Sequence, residues 1–411
     1  MRRLLVLALA LGLSACGDDD SSGPNDSNQL VVGALLSLTG PGRTLGLTSD
    51  AALQLAADDL NAQLSAAGSP TRVSLRIEDT GLDPAVALER ITALTNQGVR
   101  IFIGPQSSSE IAAIKAFADS AGVIILSQGS TAGSLSIPDD NVFRLVPDDA
   151  EEGAGTVALL REDGIQTVVP LWREDAGNQG LHDAVERLFE AAGGTVTAGA
   201  SYAPGTTDFA TPLATIKPEI EAAVAQGGAS TVAVYFAAFE ESAVGIFAAA
   251  SADPAFSQVR WYGGDGMVQS SLVVADPDAA GFAAATQLRA PTYGLADALL
   301  QEHADLIDAI EARSGGLPDD AFTLAAYDAL HLATLAYAEV GLGSIEDYRA
   351  ELLRQAETYT GATGPTTLNA NGDRAVGDYD FYQVCPGSPA TWNRVSAYRA
   401  ATGTIASLGG C

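Results

Sequence analysis

The sequence is poor in basic residues. Only 21 of its 411 residues are Lys or Arg, whereas 51 are Asp or Glu, which gives a formal net charge of −30. The two lysines are Lys115 and Lys217. A surface of this sign repels the phosphates of nucleic acids and of anionic lipid headgroups. We therefore expect no nucleic-acid partner, although the charge of the surface does not fix the charge of an internal site.

Long apolar runs are also lacking. The run at residues 4–13 follows two arginines and is too short for a spanning helix of about 20 residues. It ends in small residues before Cys16, which resembles the lipobox of bacterial lipoproteins. We predict a signal peptide at residues 1–15, lipidation of Cys16 and a polar, flexible tether at residues 16–29. The protein would then lie outside the cytoplasm and contact the membrane through its lipid anchor only. The alternative is an ordinary signal peptide with an incidental cysteine.

Cysteine is scarce, with three residues in the whole chain. If Cys16 carries lipid, Cys385 and Cys411 remain, both near the carboxyl end. In an exported protein such a pair is more often a disulfide than two free thiols. We predict this bridge and expect it to stabilise the fold by roughly 3–4 kcal/mol.

Catalytic motifs are absent from the sequence. The three histidines, His182, His303 and His331, are dispersed along the chain. There is no Gly-x-Ser-x-Gly, no His-Glu-x-x-His, no phosphate-binding loop and no cluster with zinc-ligand spacing. The sequence therefore predicts a protein that is not an enzyme and that needs no cofactor or metal.

Short apolar runs alternate with longer amphipathic ones, which is typical of βαβ units around a parallel sheet. The predicted strands are residues 30–36, 73–77, 101–103, 123–126, 166–171, 195–202, 231–236 and 260–262. The predicted helices are residues 48–61, 84–96, 111–121, 150–161, 181–192, 212–225, 242–250, 305–313, 322–339 and 345–359. The tail, at residues 378–384 and 394–398, is predicted as β structure. The pattern restarts near residue 150, which indicates an α/β protein with two doubly wound lobes.

Three loops that follow predicted strands carry polar and glycine residues, at residues 104–110, 127–133 and 261–266. Hydroxyls and free N–H groups at a helix start suit a carboxylate, and Asp265 suits an ammonium or hydroxyl group. Each loop also has a purely structural interpretation, as a helix cap or a turn. In an open α/β sheet, however, ligands bind at the carboxyl ends of the strands, where these loops lie.

The order of the motifs resembles that of a known family. The similar segments are residues 33–41, 78–80, 83–84, 103–105, 127–131, 143–144, 263–266, 327–329, 364–365 and 371–373. Over residues 31–382 the chain resembles the branched-chain amino-acid-binding proteins of ABC importers, within the type I periplasmic binding protein family.

This resemblance implies two lobes joined by a three-strand hinge, and an importer's solute-binding lipoprotein that closes around an amino acid, branched-chain or related. It divides the chain into lobe I, residues 30–147 and 292–361, and lobe II, residues 148–291 and 362–411. The implied partners are a small-molecule ligand and a permease, and we expect a monomer. Alternatives are a ligand such as an amide, an aromatic acid or a short carboxylate, or a role as a ligand sensor or assembly lipoprotein.

The resemblance also implies a binding site. A ligand carboxylate would bind Ser108, the backbone at Gly129 or Ser130, and the Thr131 hydroxyl, while Asp265 would take the ammonium group. The serine assignment stays open because Ser107 and Ser109 adjoin Ser108. Further candidate contacts are Trp172, Arg173, Asp175, Phe239 and Glu240.

The chain departs from the family pattern in two loops. Where amino-acid binders commonly have a tyrosine after the first strand, this chain has Arg43 and Leu45. The loop that begins at Trp172 lacks the tyrosine usually found near its end. These departures leave the specificity for the ligand side chain open.

Overall fold

The structure is a computed structural model that describes residues 28–318 and 320–411. The predicted signal peptide, the lipidation site Cys16 and the tether up to residue 27 lie outside the described residues. Across the described ranges, no helix combines the length and the apolar character that a bilayer span requires.

The described strands and helices alternate over most of the chain. The strands are β1 (Gln29–Leu36), β2 (Arg72–Asp79), β3 (Ile101–Ile103), β4 (Ile124–Ser127), β5 (Val142–Arg144), β6 (Thr167–Arg173), β7 (Thr195–Val196), β8 (Ala200–Tyr202), β9 (Val232–Ala237), β10 (Arg260–Gly263), β11 (Arg289–Gly294), β12 (Thr360–Gly361), β13 (Gly364–Pro365), β14 (Asp378–Cys385), β15 (Thr391–Arg399) and β16 (Thr404–Ser407). The α-helices are α1 (Arg43–Ala66), α2 (Pro84–Asn96), α3 (Ser108–Ala121), α4 (Asp149–Glu162), α5 (Ala176–Ala191), α6 (Ala210–Gly227), α7 (Glu240–Ala250), α8 (Pro254–Ser257), α9 (Ser271–Ala275), α10 (Pro277–Ala285), α11 (Asp297–Glu302), α12 (Ala304–Ser314), α13 (Ala321–Val340) and α14 (Ile345–Thr358). The predicted α/β class is confirmed.

The first sheet has the order β2-β1-β3-β4-β5, and all its strands are parallel. Alternate side chains of its strands enter two cores, as the pleat requires. Val32 and Leu36 of β1 pack with α1, α13 and α14, whereas Leu35 packs with α2 and α3. Burial on both faces explains why these strands are nearly continuous apolar runs.

The second sheet has the order β16-β15-β14-β11-β10-β9-β6-β7, with β8 also beside β6. Strands β6 to β11 are parallel, and β14, β15 and β16 are added as antiparallel neighbours. One face packs on α6, α7 and α10, and the other packs on α4 and α5. Each sheet therefore winds outward in both directions from its first strand, β1 or β6.

Two segments differ from the sequence prediction. The strand predicted at residues 195–202 is interrupted between β7 and β8, because Gly199 has a φ of 64° and approaches Pro170 too closely for a side chain. Residues 289–294, which include Pro291, were not among the predicted strands, but they form β11, which pairs with β10 at only one position. The proline therefore disrupts little of the parallel pairing.

A segment near the carboxyl end returns to the first sheet. Asp373 forms an isolated parallel bridge and an ion pair with Arg144 of β5, which is fully buried. Arg374 donates to the carbonyl oxygen of Leu145 at 3.3 Å. The division into lobes at residues 147, 291 and 361 stays a prediction, and these contacts favour a third crossover that follows Arg374.

The predicted disulfide is present. Cys385, at the end of β14, is bonded to Cys411, and their Cα atoms are 5.3 Å apart. The bridge fastens the last residues of the chain to the antiparallel edge of the second sheet.

The two lysines lie on helices of different sheets. Lys115 is on α3 beside the first sheet, and its Nζ is 2.8 Å from Asp119. Lys217 is on α6 beside the second sheet, and its Nζ is 2.6 Å from Asp253. Each half of the molecule thus carries one lysine, paired with an aspartate.

Candidate functional site

A cavity lies where the carboxyl ends of the two sheets face each other. About 70 Å³ of it is open to the centre of a water-sized sphere. One water needs roughly 10–15 Å³ by this measure, so the cavity has room for a small solute. It is lined by Gly42, Thr44, Leu45, Thr48, Gln106, Ser107, Ser108, Gly129, Thr131, Gly177, Asn178, Leu181, Phe239, Glu240, Asp265, Gly266, Val268, Gln269, Ser270, Pro318, Asp320 and Phe322.

The position of the cavity follows from the topology of the sheets. Its lining residues come from the loops after β1, β3 and β4 of the first sheet, and after β6, β9 and β10 of the second. In a doubly wound sheet, the connections on either side of the first strand run to opposite faces of the sheet. A crevice therefore opens between them at the carboxyl ends of the strands. Here the two crevices meet, and the start of α13 completes the wall.

The loop after β1 is held in place by Gln106. Gly42 adopts a φ of 67°, and a Cβ there would lie 2.6 Å from Gln106 Nε2. That nitrogen donates to the carbonyl oxygen of Gly42 at 2.8 Å. The close approach places Thr44 and Leu45, in the first turn of α1, on the cavity wall.

The adjacent serines Ser107 and Ser108 have different environments. Ser107 caps α3, because its Oγ accepts from the N–H of Glu110 and the Glu110 carboxylate accepts from Ser107 in return. The Oγ of Ser108 lies 3.0 Å from that of Ser130 and accepts from the N–H of Ala132 at 3.1 Å. Ser107 and Ser108 both line the cavity, and Ser108 is the one whose hydroxyl is not used by the cap.

The loop after β4 forms the neighbouring wall. Ser127 Oγ donates to the Pro105 carbonyl oxygen and accepts from the N–H of Ser130, which fixes the bend of the loop. Gly129 and Thr131 line the cavity. A Cβ on Gly129 would lie 2.9 Å from the Gln106 carbonyl oxygen, so a glycine is needed for this approach. The Ser130 hydroxyl is directed to Ser108 and lies outside the lining.

Asp265 begins the short 3-10 turn Asp265–Met267 after β10 and is, with Glu240, one of two acidic lining residues on the second-sheet side. Burial, together with the negative charge of Asp320, raises its pKa to about 7. The backbone N–H of Asp265 donates to Glu152 at 3.3 Å. The carboxyl group is therefore poorly stabilised as an anion unless a cation enters the cavity.

Other carboxyl groups surround Asp265, and we call Asp149, Glu152, Asp265 and Asp320 the acidic cluster. Burial raises the pKa of Asp149 to about 8 and that of Asp320 to about 6. Burial and the charge of Asp265 together raise the pKa of Glu152. Each member is thus a group that binds a proton more tightly in this fold than in water.

The two halves also contact each other directly beside the cavity. Thr44 Oγ1 donates to Glu240 Oε2 at 2.9 Å, and Ser270 Oγ donates to the same oxygen at 2.7 Å. On the other side, the N–H of Ala176 donates to Ser109 Oγ at 3.1 Å. The bonds of Thr44 to Glu240 and of Ala176 to Ser109 join the first-sheet side to the second-sheet side, so the cleft is closed in this structure.

The structure brings together some of the predicted site residues and separates others. Ser108, Gly129, Thr131, Phe239 and Asp265 share the cavity wall, and Glu240 lies there too. Trp172 lies outside it, stacked on His182 with ring centroids 3.8 Å apart.

Asp175 and Arg173 also lie outside the lining. Asp175 caps α5 and pairs with Arg173, whose guanidinium lies over the Phe239 ring at 5.0 Å. These two residues therefore buttress the wall from behind. Arg43 is exposed.

The sequence analysis missed Thr44, Gln106 and Asp320. Asp320 is the N-cap of α13, since its Oδ1 accepts from the N–H of Thr323 at 2.9 Å. A capping residue before a strong helical pattern was visible in the sequence, but its proximity to Asp265 was not.

Within the described residues, the one group with donor atoms spaced for a metal is His182, Asp183 and Glu186 on α5. Two of the three side chains are at least partly exposed, and His182 pairs with Glu186 one turn away. The group lies outside the cavity lining, and nothing in its surroundings indicates a metal centre.

A cavity between the carboxyl ends of two doubly wound sheets, lined by few charged groups, defines a protein that binds a small solute. A sequence profile of the periplasmic binding proteins matches residues 29–389. The chain belongs to the periplasmic binding protein family, which is a family of binding proteins and not of enzymes.

Curated relatives span nearly the whole chain. An uncharacterized protein of Methanocaldococcus jannaschii is 28% identical over 400 residues, which is 92% of this chain and 91% of that protein. The Leu/Ile/Val-binding protein BraC3 of Rhizobium johnstonii is 24% identical over 356 residues, with 86% and 91% covered.

Solved structures share the fold. The branched-chain amino acid transporter substrate-binding protein LivJ of Streptococcus pneumoniae, in complex with isoleucine, matches with a TM-score of 0.71 and 21% identity, covering 89% of this chain and 99% of that one. A solute-binding protein of an ABC transporter from R. palustris, in complex with benzoate, matches with a TM-score of 0.71 and 19% identity, covering 89% and 96%. The predicted type I periplasmic binding protein fold is confirmed.

Proposed function

We propose that this chain is the extracytoplasmic solute-binding lipoprotein of an ABC importer and that it binds an α-amino acid in the cavity. The observation that carries the proposal is the chemical difference between the two sides of the cavity. The loops after β3 and β4, on the first-sheet side, present hydroxyl and backbone N–H groups, and the loop after β10, on the second-sheet side, presents the Asp265 carboxyl. An α-amino acid presents a carboxylate and an ammonium group a few ångströms apart.

On the first-sheet side, the ligand carboxylate would accept hydrogen bonds from the Ser108 and Thr131 hydroxyls and from the backbone at Gly129 or Ser130. Ser108 is also the first residue of α3, where the helix dipole favours negative charge. These donors are uncharged, so they hold a carboxylate by hydrogen bonds and not by a salt bridge.

On the second-sheet side, the ligand ammonium would pair with Asp265. Burial deprives the Asp265 carboxylate of its stabilisation by water, and an ammonium group beside it replaces that stabilisation. The carboxyl group therefore ionises when the ligand binds. This arrangement disfavours an organic acid without an amino group, such as the benzoate bound by the R. palustris protein. Such a ligand would add negative charge beside the acidic cluster.

The relatives support an amino-acid ligand. The Rhizobium johnstonii relative is named a Leu/Ile/Val-binding protein, and the Streptococcus pneumoniae structure contains isoleucine. Both are less than 25% identical to this chain, so the support concerns the ligand class and not the side chain.

We place the two lobes around the two sheets, as predicted, with the third crossover after Arg374. Ligand contacts from both lobes would favour the closed form over an open one. Lipidation of Cys16 would hold the monomer at the outer face of a membrane, where it meets the permease. A Cys16→Ser variant that stays in the membrane fraction would contradict the anchor.

The test is thermal unfolding of the Cys16→Ser protein with each common amino acid and with matched carboxylates and amines. A ligand at about 100 times its Kd should add about 2.7 kcal/mol to the free energy of unfolding. We expect shifts with α-amino acids and none with their analogues that lack the amino group. The shift should be lost in Asp265→Asn and kept in Asp276→Asn, a matched control in the N-cap of α10, far from the lining.

Three other outcomes would each contradict one part of this proposal. Shifts produced only by acids without an amino group would contradict the amino-acid ligand. No shift with any compound would count against transport and favour the sensor or assembly role. An unchanged radius of gyration in X-ray scattering on ligand addition would contradict closure of the lobes.

A further inference from the structure

The charge of the cavity wall is one-sided. Its lining includes the carboxylates of Glu240, Asp265 and Asp320, and among the described lining residues there is no Lys, Arg or His. Glu240 has partners within the protein, because Thr44 and Ser270 donate to it. Asp265 and Asp320 are the other two acidic residues of the lining, and Asp320 also accepts from the N–H of Thr323 as the cap of α13.

These two carboxyl groups belong to different parts of the fold. Asp265 follows β10 of the second sheet, and Asp320 begins α13, which packs on the first sheet. Both groups line the same closed cavity, and the charge of Asp320 raises the pKa of Asp265. If both carboxyl groups were ionised, their repulsion would oppose closure of the cleft. A cation between them removes this repulsion and so favours closure.

The surroundings supply no compensating charge. Glu152, which accepts from the N–H of Asp265, and Asp149 are acidic and supply no positive charge. Arg173, behind the cavity wall, is paired with Asp175 and with Glu241. The other arginine near the site, Arg144, is paired with Asp373.

A zwitterion does not compensate this excess. Its ammonium neutralises one carboxyl group, but its own carboxylate enters the same cavity and is held by uncharged donors. One of Asp265 and Asp320 would then keep a proton or remain an unpaired buried anion, which is unfavourable.

A second feature of the cavity wall, independent of its charge, favours a ligand side chain with a hydrogen-bond donor. Gln106 lines the cavity and is 5% exposed, and its Nε2 is used by Gly42. Its Oε1 has no hydrogen-bond partner within the described part of the chain. A purely hydrocarbon side chain would leave this acceptor unpaired, at a cost.

The remaining wall suits an aliphatic stem. Leu45, Leu181, Phe239, Val268 and Phe322 line the cavity beside the polar groups. Long cationic side chains bury their methylene groups against such surfaces and keep only the head in a polar setting.

We propose that the ligand is an α-amino acid with a cationic side chain, of the diamino or guanidino type. This inference rests on the proposed function and makes it specific. Asp265 takes the α-ammonium group, and Asp320 takes the cationic head of the side chain. The ligand class differs from the branched-chain amino acids that the family resemblance implies.

The experiment compares ligands of equal shape and different charge on the full-length Cys16→Ser protein, by isothermal titration calorimetry. Lysine is paired with norleucine, which lacks only the terminal amino group, and arginine is paired with citrulline. We expect the cationic member of at least one pair to bind at least tenfold more tightly than its neutral partner. The variant Asp320→Asn should reduce that ratio to less than threefold, and asparagine still caps the helix.

The control is Asp83→Asn, which changes the corresponding cap of α2, away from the cavity lining. It should leave the ratio unchanged. Equal or tighter binding of norleucine and citrulline would overturn the cationic ligand and leave the amino-acid proposal standing. Binding of cadaverine as tightly as lysine would overturn the carboxylate site, and hence the proposed function itself. A charge preference that survives Asp320→Asn would overturn the role of Asp320.

Discussion

Thr44 and Glu240 lie 196 positions apart in the sequence, yet the hydroxyl of Thr44 donates to the Glu240 carboxylate at 2.9 Å across the cleft. The backbone N–H of Thr44 approaches the other carboxylate oxygen at 3.3 Å. One residue of α1 thus ties the first sheet to the start of α7 through both of its polar groups. We expect this contact to form only when the cleft is closed.

We predict that Thr44→Val weakens ligand binding by about fivefold to thirtyfold. The substitution keeps the shape of the side chain but removes one hydrogen bond to a charged group, worth about 1–2 kcal/mol. The stability of the ligand-free protein should change less, because an open cleft does not contain this bond.

The measurement is the Kd by calorimetry, and Thr334→Val is the matched control. Thr334 is also buried, and its hydroxyl donates to a backbone carbonyl within α13. If both variants bind the ligand equally well, the contact between Thr44 and Glu240 does not stabilise the closed form.

We predict that Ser107→Ala and Ser108→Ala have different effects, which separates the adjacent serines. Ser107→Ala removes the cap of α3 and should lower the free energy of unfolding by about 1 kcal/mol. Ser108→Ala removes a hydroxyl that lines the cavity and should weaken ligand binding at least tenfold. Thermal unfolding and calorimetry on both variants test this, and the reverse pattern would move the ligand contact to Ser107.

We predict that affinity for an amine-bearing ligand rises as the pH rises from about 5 to 8. Burial and neighbouring charges raise the pKa of Asp265 to about 7, with Asp320, Asp175 and Glu152 as the acidic groups around it. The ligand needs the ionised carboxyl, and a raised pKa means that a proton must first leave. The increase approaches tenfold per pH unit for each proton released below the pKa.

Asp149, Asp265 and Asp320 make the ligand-free protein less stable at higher pH. Their carboxyls bind protons more tightly in the folded chain than in the unfolded one, so their contribution is full below about pH 4 and is lost as the pH rises through about 6 to 8. Asp265→Asn should flatten both pH profiles. Profiles that remain unchanged in this variant would show that Asp265 is not the titrating group.

We predict that Cys411→Ser lowers the free energy of unfolding by roughly 3–4 kcal/mol, because it opens a loop between residues 26 positions apart. Ligand binding should stay within about twofold, since neither cysteine lines the cavity. Unfolding with and without reductant gives the comparison, and a reductant that does not affect the parent protein would contradict this contribution.

The sequence predicted the fold more completely than the site, for reasons that particular residues illustrate. Helix α2 was predicted over the same residues because Asp83 caps it and Pro84 begins it. Such signals are local, as are the apolar runs of β1 and β3. Strand β11 was missed because Pro291 indicates a break, and its antiparallel partner β14 is about 90 residues further along the chain.

The site depends on contacts that local patterns do not encode. The glycines and serines after β3 and β4 could be assigned to a binding site from the sequence because their loops follow buried strands. The electrostatic effect of Asp320 on Asp265 could not be predicted from the sequence, since the two residues come near each other only when the sheets face each other. Trp172 was expected in the site from family position, but stacking on His182 holds it away from the cavity.

The scarcity of lysine gives this protein a practical use. Lys115 and Lys217 are the chain's two lysines, and they lie on α3 and α6, beside different sheets. An amine-reactive donor and acceptor fluorophore would therefore attach at one side chain in each half, without any engineered cysteine. Energy transfer between the two dyes would report the separation of the halves, one molecule at a time, as ligand arrives and leaves.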